Sequence, residues 1–146
     1  MPQTNFTGID LSKNMIKKTD NKNIKNAQFI VGDCENLPFS NESFDIVIYA
    51  MSIHHYPNPE SFVKNVFRIS TPGGKLIIRD PSASDLKLFF YRTFGYYRYL
   101  NKFKSNGVVK FYSPKQLIKI LRSKGFQILS ASRIGNNRLQ VVAEKV

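Results

Sequence analysis

The sequence has one cysteine, Cys34, among 146 residues, and this scarcity limits the chemistry open to the chain. A single cysteine excludes an internal disulfide and is typical of a reducing compartment, so we predict a cytoplasmic protein. Two histidines and one cysteine are too few ligands for a zinc site of the usual kind, and we predict no metal. Cys34 has no sequence partner that marks it as a nucleophile, which favours a structural role.

Long apolar runs are also missing. No hydrophobic segment approaches the length that spans a membrane, residues 1–5 are polar, and no signal-peptide pattern occurs. Hydrophobic residues nevertheless make up 42% of the chain and aromatic residues 13%, which is ample for a packed core. The length is that of one ordinary domain, so we predict a single domain over residues 1–146 without a membrane partner.

Negative charge is scarce, because 22 lysines and arginines stand against 10 acidic residues and give a net charge of +12. The basic residues are spread over most of the sequence, and net charge bears on association and solubility rather than on fold. Two interpretations stay open. In the first, the basic residues form a surface that binds nucleic acid. In the second, the excess of positive charge only reflects a lysine- and asparagine-rich composition, such as that of "TDNKNIKN" at residues 19–26.

Apolar and polar segments alternate in a way that predicts strands and helices in turn. The predicted strands cover residues 6–9, 27–33, 44–50 and 75–80, followed by a closing antiparallel pair at 126–133 and 138–145. Ser12 and Ser113 are expected to begin helices, the first with Met15 and Ile16 facing inward. A third helix begins at Pro59 and ends before "TPGG" at residues 71–74. The unbroken apolar run at 44–50 is typical of a strand buried on both faces.

This order predicts an α/β fold with an open, mostly parallel sheet, helices on both faces and a C-terminal antiparallel hairpin. Ligands of such sheets bind at the carboxyl ends of the strands. The residues that follow the predicted strands are Asp10, Asp33 and Cys34, the segment from Ala50 to His55, and Asp80. Each aspartate has an ordinary alternative role as a turn or helix-cap residue.

Three stretches carry a family resemblance: "TGIDLSKNMI", "FIVGDCENLPFSNESFDIVIYAMSIHHYPNPESFVKNVFRISTPGGKLII" and "SPKQLIKILRSKGFQIL". In order and in content they resemble class I S-adenosylmethionine-dependent methyltransferases of the type 11 kind. The resemblance implies a Rossmann-like fold, S-adenosylmethionine as cofactor, S-adenosylhomocysteine as product and a small-molecule methyl acceptor.

The resemblance also implies roles for individual residues. Asp10 would bind the two ribose hydroxyls of the cofactor, while Asp33 and the backbone N–H of Cys34 would bind the adenine. Apolar contacts would come from Met15 and Leu37. The predicted cofactor-binding set is completed by Leu11 and Ala50.

His54 and His55 follow the third predicted strand, on the side where the family places the methyl acceptor. A neutral imidazole can act as a base on an acidic acceptor, and we predict His55 as the catalytic residue. The aromatic and basic segment at residues 85–104 has two open interpretations. It lines an acceptor pocket, or it covers apolar core with its basic ends in water.

No G-x-G-x-x-G motif or near variant occurs in the chain. In the family, a strand and a glycine-rich turn precede the stretch that corresponds to "FTGIDLS" at residues 6–12. We therefore expect the first strand and helix of the family fold to be missing, and this chain alone to be a poor methyltransferase that self-associates, for instance as a homodimer. The alternative function is a non-catalytic module that binds nucleic acid or a protein partner.

Overall fold

The computed structural model describes residues 4–51, 53, 56, 58–81, 112–134 and 138–146. Within these ranges it contains six strands and three helices. The predictions for His54, His55 and residues 85–104 lie outside the described residues.

The N-terminal part is a strand, a helix and a second strand: β1 (Phe6–Asp10), α1 (Lys13–Asp20) and β2 (Ala27–Val31). The two strands pair in parallel along their whole length. They approach closely, because a Cβ added at Gly8 would lie 2.5 Å from Cδ1 of Phe29. A side chain at Gly8 would therefore displace the Phe29 ring.

Helix α1 begins as predicted, since Ser12 is its N-cap and the Ser12 Oγ accepts a hydrogen bond from the Met15 N–H at 3.3 Å. Ile16 is buried, but Met15 is 51% exposed. The prediction that both face inward is wrong for Met15. Consecutive helical residues point about 100° apart, and a two-stranded sheet is too narrow to cover both side chains.

The second sheet has four strands in the order β3-β4-β6-β5. Its members are β3 (Phe44–Ala50), β4 (Ser70–Pro81), β5 (Phe126–Ile134) and β6 (Arg138–Lys145). β3 and β4 are parallel, whereas β6 pairs antiparallel with both β4 and β5. The predicted α/β class, parallel pairing and C-terminal antiparallel pair are confirmed.

Strand β4 begins earlier than the sequence suggested. The "TPGG" segment lies within β4 instead of before it, and the pairing with β3 shifts between Phe44 and Ile46 at this point. Gly73 has a φ of 75°, which is the left-handed region that favours glycine. The two glycines thus mark an irregular start of the strand, which continues directly from the preceding helix.

Helices α2 (Pro59–Ile69) and α3 (Pro114–Ser123) pack against each other and against the four-stranded sheet. The Asn58 side chain caps α2, and Ser113 forms a capping box with Gln116 at the start of α3. No helix of the described part of the chain is long and apolar enough to cross a membrane.

One hydrophobic core joins these elements. Its most deeply buried apolar side chains are those of Ile53, Phe62, Val63, Val66, Leu76, Ile78, Leu117, Leu121, Val141 and Ala143. Ile9, Cys34 and Phe39 pack against this core from the N-terminal part. Both sheets therefore contribute to the same interior.

Strand β3 is not buried on both faces, contrary to the expectation from its apolar run. Ile46 is 57% exposed and Ile48 is 70% exposed. Tyr49 of the same strand is buried, with its ring against Phe62 of α2. The reason is the position of the strand, because β3 lies at one end of the four-stranded sheet and, among the residues that the structure describes, has β4 as its one strand partner. Strand order is a long-range property that an apolar run does not reveal.

Candidate functional site

A groove of about 490 Å³ separates β1 from β3. Residues Thr7 to Leu11 form one wall, and Ile46 to Ala50 form the other. The base includes Phe62, Val66 and Ile69 of α2. The groove is thus bounded by the two sheets and by the helix beneath them.

The strands on either side of the groove end at the same edge. The backbone N–H of Asn58, after β3, donates to Oε1 of Glu35, after β2, at 2.9 Å. The side chains of Cys34 and Tyr56 also form a hydrogen bond between these two loops. Since β1 is parallel to β2, Asp10 lies at this edge too. The carboxyl ends of β1, β2 and β3 therefore meet, which is where α/β sheets bind ligands.

Asp10 stands at the groove with part of its carboxylate available. Its Oδ1 accepts a hydrogen bond from the Ser12 N–H at 2.7 Å and so organises the turn that leads into α1. Its other oxygen accepts no hydrogen bond from the described residues, and the side chain is exposed. This arrangement fixes the carboxylate while leaving an anionic acceptor open to a ligand.

Asp33 makes a similar local bond, in which its Oδ1 accepts from the Glu35 N–H at 2.8 Å. It is exposed and is not part of the groove lining. The two aspartates thus both shape turns at the carboxyl ends of neighbouring strands. Only Asp10 lines the groove.

Five of the seven predicted cofactor-binding residues line this groove: Asp10, Leu11, Cys34, Leu37 and Ala50. Met15 and Asp33 do not line it. The predicted catalytic residue, His55, lies outside the described residues. The structure therefore brings most of the predicted set together around one space.

Two residues of α2 that were not predicted from the sequence hold the loop after β2. Arg68 of α2 donates from Nη1 to the Phe39 carbonyl at 2.6 Å and from Nη2 to the Leu37 carbonyl at 2.8 Å. Asn65, one turn earlier, donates from Nδ2 to the Glu35 carbonyl at 2.7 Å. Asn65 and Arg68 lie three positions apart and so on one side of α2, next to its buried positions, and this spacing is the signal that could have identified them.

An aromatic cluster at the base of the groove was also missed. The Phe62 ring lies 4.4 Å from the Tyr49 ring and 5.2 Å from the Tyr56 ring, measured between centroids. Burial raises the pKa of Tyr56 far above its ordinary range, and its hydrogen bonds with Cys34 and Tyr49 raise it further. Tyr56 is therefore a neutral phenol at every physiological pH.

Cys34 is a protonated thiol in this setting. Burial raises the pKa of the Cys34 thiol, and the negative charges of Asp33 and Asp10 raise it as well. The hydrogen bond with Tyr56 acts in the opposite direction. A thiol kept neutral is a poor nucleophile, which supports the structural role expected for this residue.

We expect the alkylation of Cys34 by iodoacetamide to reach its half-maximal rate at higher pH in the folded chain than in the urea-unfolded chain. The sign follows from the raised pKa, because less thiolate is present at a given pH, and a pH midpoint does not depend on access. Tyr56→Phe should move the folded midpoint higher still, since it removes the bond that favours thiolate. Equal midpoints for the folded and unfolded chain would contradict this assignment.

Within the described ranges, no group of three or more His, Cys, Asp or Glu side chains is arranged to hold a metal ion.

The Methyltransferase domain family model matches residues 2–78, which is more than half of the chain and includes β1, the groove walls and most of β4. The chain belongs to this methyltransferase family. The match covers Asp10, Cys34, Leu37 and Ala50, so the groove residues lie within the family's own sequence pattern.

Two curated relatives show how far the similarity extends. The chain is 25% identical over 142 residues to the demethylmenaquinone methyltransferase of Thermotoga maritima, covering 87% of this chain and 62% of the relative. It is 41% identical over 76 residues to phthiotriol/phenolphthiotriol dimycocerosates methyltransferase 1 of Mycobacterium ulcerans, covering 51% of this chain and 28% of the relative. The chain thus spans less than two thirds of either relative.

Solved structures support the same fold. A crystal structure of a SAM-dependent methyltransferase from Methanosarcina mazei superposes with a TM-score of 0.74 over 96% of this chain and 81% of that chain, at 22% sequence identity. At this identity the likeness concerns the fold. The expected Rossmann-like methyltransferase fold is confirmed.

Proposed function

We propose that the carboxyl end of the groove binds S-adenosylmethionine and that the protein transfers its methyl group to a small-molecule acceptor. The observation that carries this proposal is the position of Asp10. Its carboxylate stands at the carboxyl end of β1, on the groove, with one oxygen unbonded by the described residues. Family membership supplies the reaction class.

The residues at this edge suit a nucleoside. Asp10 offers an anionic acceptor of the kind that binds ribose hydroxyls. Leu37 and Cys34 supply an apolar wall, and the neutral Cys34 thiol adds no competing charge. The proposed set is Asp10, Leu11, Cys34, Leu37 and Ala50 at the groove, together with Met15 and Asp33, which do not line it.

S-adenosylmethionine, when bound, supplies a methyl group on a positively charged sulfur that an O, N or C nucleophile can attack. The work of the protein is then to position the reactants and exclude water. Arg68 and Asn65 would contribute by holding the loop that carries Cys34 and Leu37. The role proposed for His55 is to accept a proton from the acceptor.

The proposed acceptor is a small molecule. The names of two relatives support this class, since one is a demethylmenaquinone methyltransferase and the other a phthiotriol/phenolphthiotriol dimycocerosates methyltransferase. The shared hydrophobic core supports a single domain over residues 1–146. The lone cysteine supports the cytoplasm as the place of the reaction.

We expect Asp10→Asn to weaken the binding of S-adenosylhomocysteine about 10- to 100-fold, because a charge-assisted hydrogen bond loses its anion. The amide oxygen of asparagine can still accept from the Ser12 N–H, so the turn into α1 should persist. Isothermal titration calorimetry measures the change.

The matched control for this titration is Asp20→Asn, which makes the same chemical change at an exposed position at the end of α1, away from the groove. The affinity should be unchanged in this variant. Equal affinity in the Asp10 and Asp20 variants, with both folded, would show that Asp10 does not bind the nucleoside and would remove the main support for the proposed function.

A further inference from the structure

Glu35 makes three hydrogen bonds that join different parts of the chain. Its N–H donates to Oδ1 of Asp33 at 2.8 Å, within the loop after β2. Its carbonyl accepts from Nδ2 of Asn65 at 2.7 Å, and Oε1 of its carboxylate accepts from the Asn58 N–H at 2.9 Å. These two partners lie 30 and 23 positions away in the sequence. Glu35 therefore connects the loop to distant residues at two separate points.

The bond to Asn58 reaches the start of α2. Asn58 is the N-cap of this helix, and its side chain accepts from the Ser61 N–H at 3.1 Å. The N–H of an N-cap residue lies outside the hydrogen bonds of its own helix, and in a capping box a Glu or Gln at the third helical position binds it. Helix α2 has Ser61 at that position, and Glu35 supplies the carboxylate from another loop instead. A carboxylate is also favoured there by the helix dipole.

The two segments that Glu35 joins carry residues proposed for two sides of the reaction. The loop after β2 contains Cys34 and Leu37, which line the groove, and Asp33. The segment that links β3 to α2 ends at Asn58 and contains His55, the residue proposed to act on the acceptor. A residue that ties these segments together therefore affects how the cofactor side and the acceptor side are placed relative to each other.

The carboxylate of Glu35 has a different task from the residues of α2 that hold the same loop. Arg68 and Asn65 join the loop to the body of α2, so they act on the loop alone. The Glu35 side chain reaches the linking segment, as does the hydrogen bond between the side chains of Cys34 and Tyr56. Loss of the Glu35 carboxylate should thus let the two segments move separately without releasing the loop from α2.

We infer that Glu35 is a positioning residue, which couples the cofactor-binding loop after β2 to the segment that links β3 with α2. It acts through Asn58 on one side and through the loop backbone on the other. The inference rests on the proposed function for the identity of the ligand. The contacts that carry it are hydrogen bonds of the chain itself.

Three substitutions in the whole chain separate the parts of this inference. Glu35→Met keeps most of the side-chain volume but has no acceptor for the Asn58 N–H. Glu35→Gln loses the charge and keeps an oxygen acceptor, so it should rescue the coupling. Glu60→Met is the matched control, because it removes an acidic side chain from the first turn of α2 that pairs with Lys124.

The first readout needs no ligand. Exchange of the Asn58 amide hydrogen, followed by nuclear magnetic resonance, reports the bond to Glu35 directly. Glu35→Met should accelerate this exchange at least about tenfold, as expected for a lost hydrogen bond to a charged group. The acceleration in Glu35→Gln should stay below about threefold, since a neutral acceptor remains. Glu60→Met should leave the rate unchanged, and amides of α3 should exchange alike in all three variants.

The second readout uses saturating S-adenosylhomocysteine. In the unsubstituted chain, ligand bound at the loop should also slow exchange of the Tyr56 amide, because the two segments move together. Glu35→Met should retain the slowing at Cys34 and Leu37 and lose most of it at Tyr56, while Glu35→Gln should restore it. A merely structural role would lower the affinity but would leave the pattern at saturation unchanged.

Three results would overturn the inference. The first is an unchanged exchange rate of the Asn58 amide in Glu35→Met. The second is equal acceleration in Glu35→Met and Glu35→Gln, which would make the charge and not the bond responsible. The third is full slowing at Tyr56 in Glu35→Met at saturation. If the unsubstituted chain bound no S-adenosylhomocysteine, the proposed function would fail, and the exchange of the Asn58 amide would still decide whether Glu35 ties the two segments.

Discussion

Replacing Phe62 by alanine is expected to lower the free energy of unfolding by about 3–5 kcal/mol. Phe62 is 1% exposed, and its ring packs against those of Tyr49 and Tyr56. Truncation removes the buried ring surface and leaves a cavity beneath the groove, where neighbours anchored on β3 and α2 can collapse only in part. Urea denaturation followed by circular dichroism measures the change.

The control for Phe62→Ala is Phe6→Ala, which deletes the same ring from a position that is 57% exposed at the start of β1. Phe6→Ala should lower the free energy of unfolding by less than about 1 kcal/mol, because the ring of Phe6 buries little apolar surface. If the two variants lost equal stability, the aromatic cluster under the groove would not be part of the core that the structure describes.

Replacing Arg68 by methionine is expected to lower the free energy of unfolding by about 2–3 kcal/mol. The methionine keeps most of the aliphatic stem but leaves the carbonyls of Leu37 and Phe39 without their charged donor. The loop after β2 should loosen more than the rest of the chain. Native-state hydrogen exchange of residues 33–42 would then accelerate beyond the change seen in α3.

The matched substitution for this experiment is Arg122→Met, at an exposed position in the last turn of α3. Arg122 donates to neither of the two carbonyls, so the loop after β2 should be unaffected. Similar unfolding free energies for Arg68→Met and Arg122→Met, with similar exchange in residues 33–42, would mean that Arg68 does not hold the loop.

Local signals were sufficient for much of the fold. The boundaries of β3 follow from its apolar run, and β6 follows from the turn-rich segment that precedes it. The starts of α1 and α3 follow from Ser12 and Ser113, because caps act over only a few residues. The sequence did not predict the exposure of Ile46 and Ile48. That exposure depends on which strand lies beside β3, which is decided by distant parts of the chain.

The candidate site likewise combines a residue that the sequence predicted with contacts that it did not predict. Asp10 was predictable because it follows a strand that ends at the ligand-binding edge of a parallel sheet. Two other features of the site join residues more than twenty positions apart. They are the hydrogen bond between Cys34 and Tyr56 and the hydrogen bonds from Arg68 to the loop after β2. No local pattern encodes such pairs, so only the folded structure shows how the site is held in place.

The most direct test of the central claim is a crystal structure of the chain grown with S-adenosylhomocysteine. We predict that the nucleoside lies at the carboxyl end of the groove, with its ribose hydroxyls within hydrogen-bond distance of the Asp10 carboxylate and its adenine beside Leu37 and Cys34. A nucleoside bound elsewhere on the molecule, with the Asp10 carboxylate facing only solvent, would contradict this account of the site.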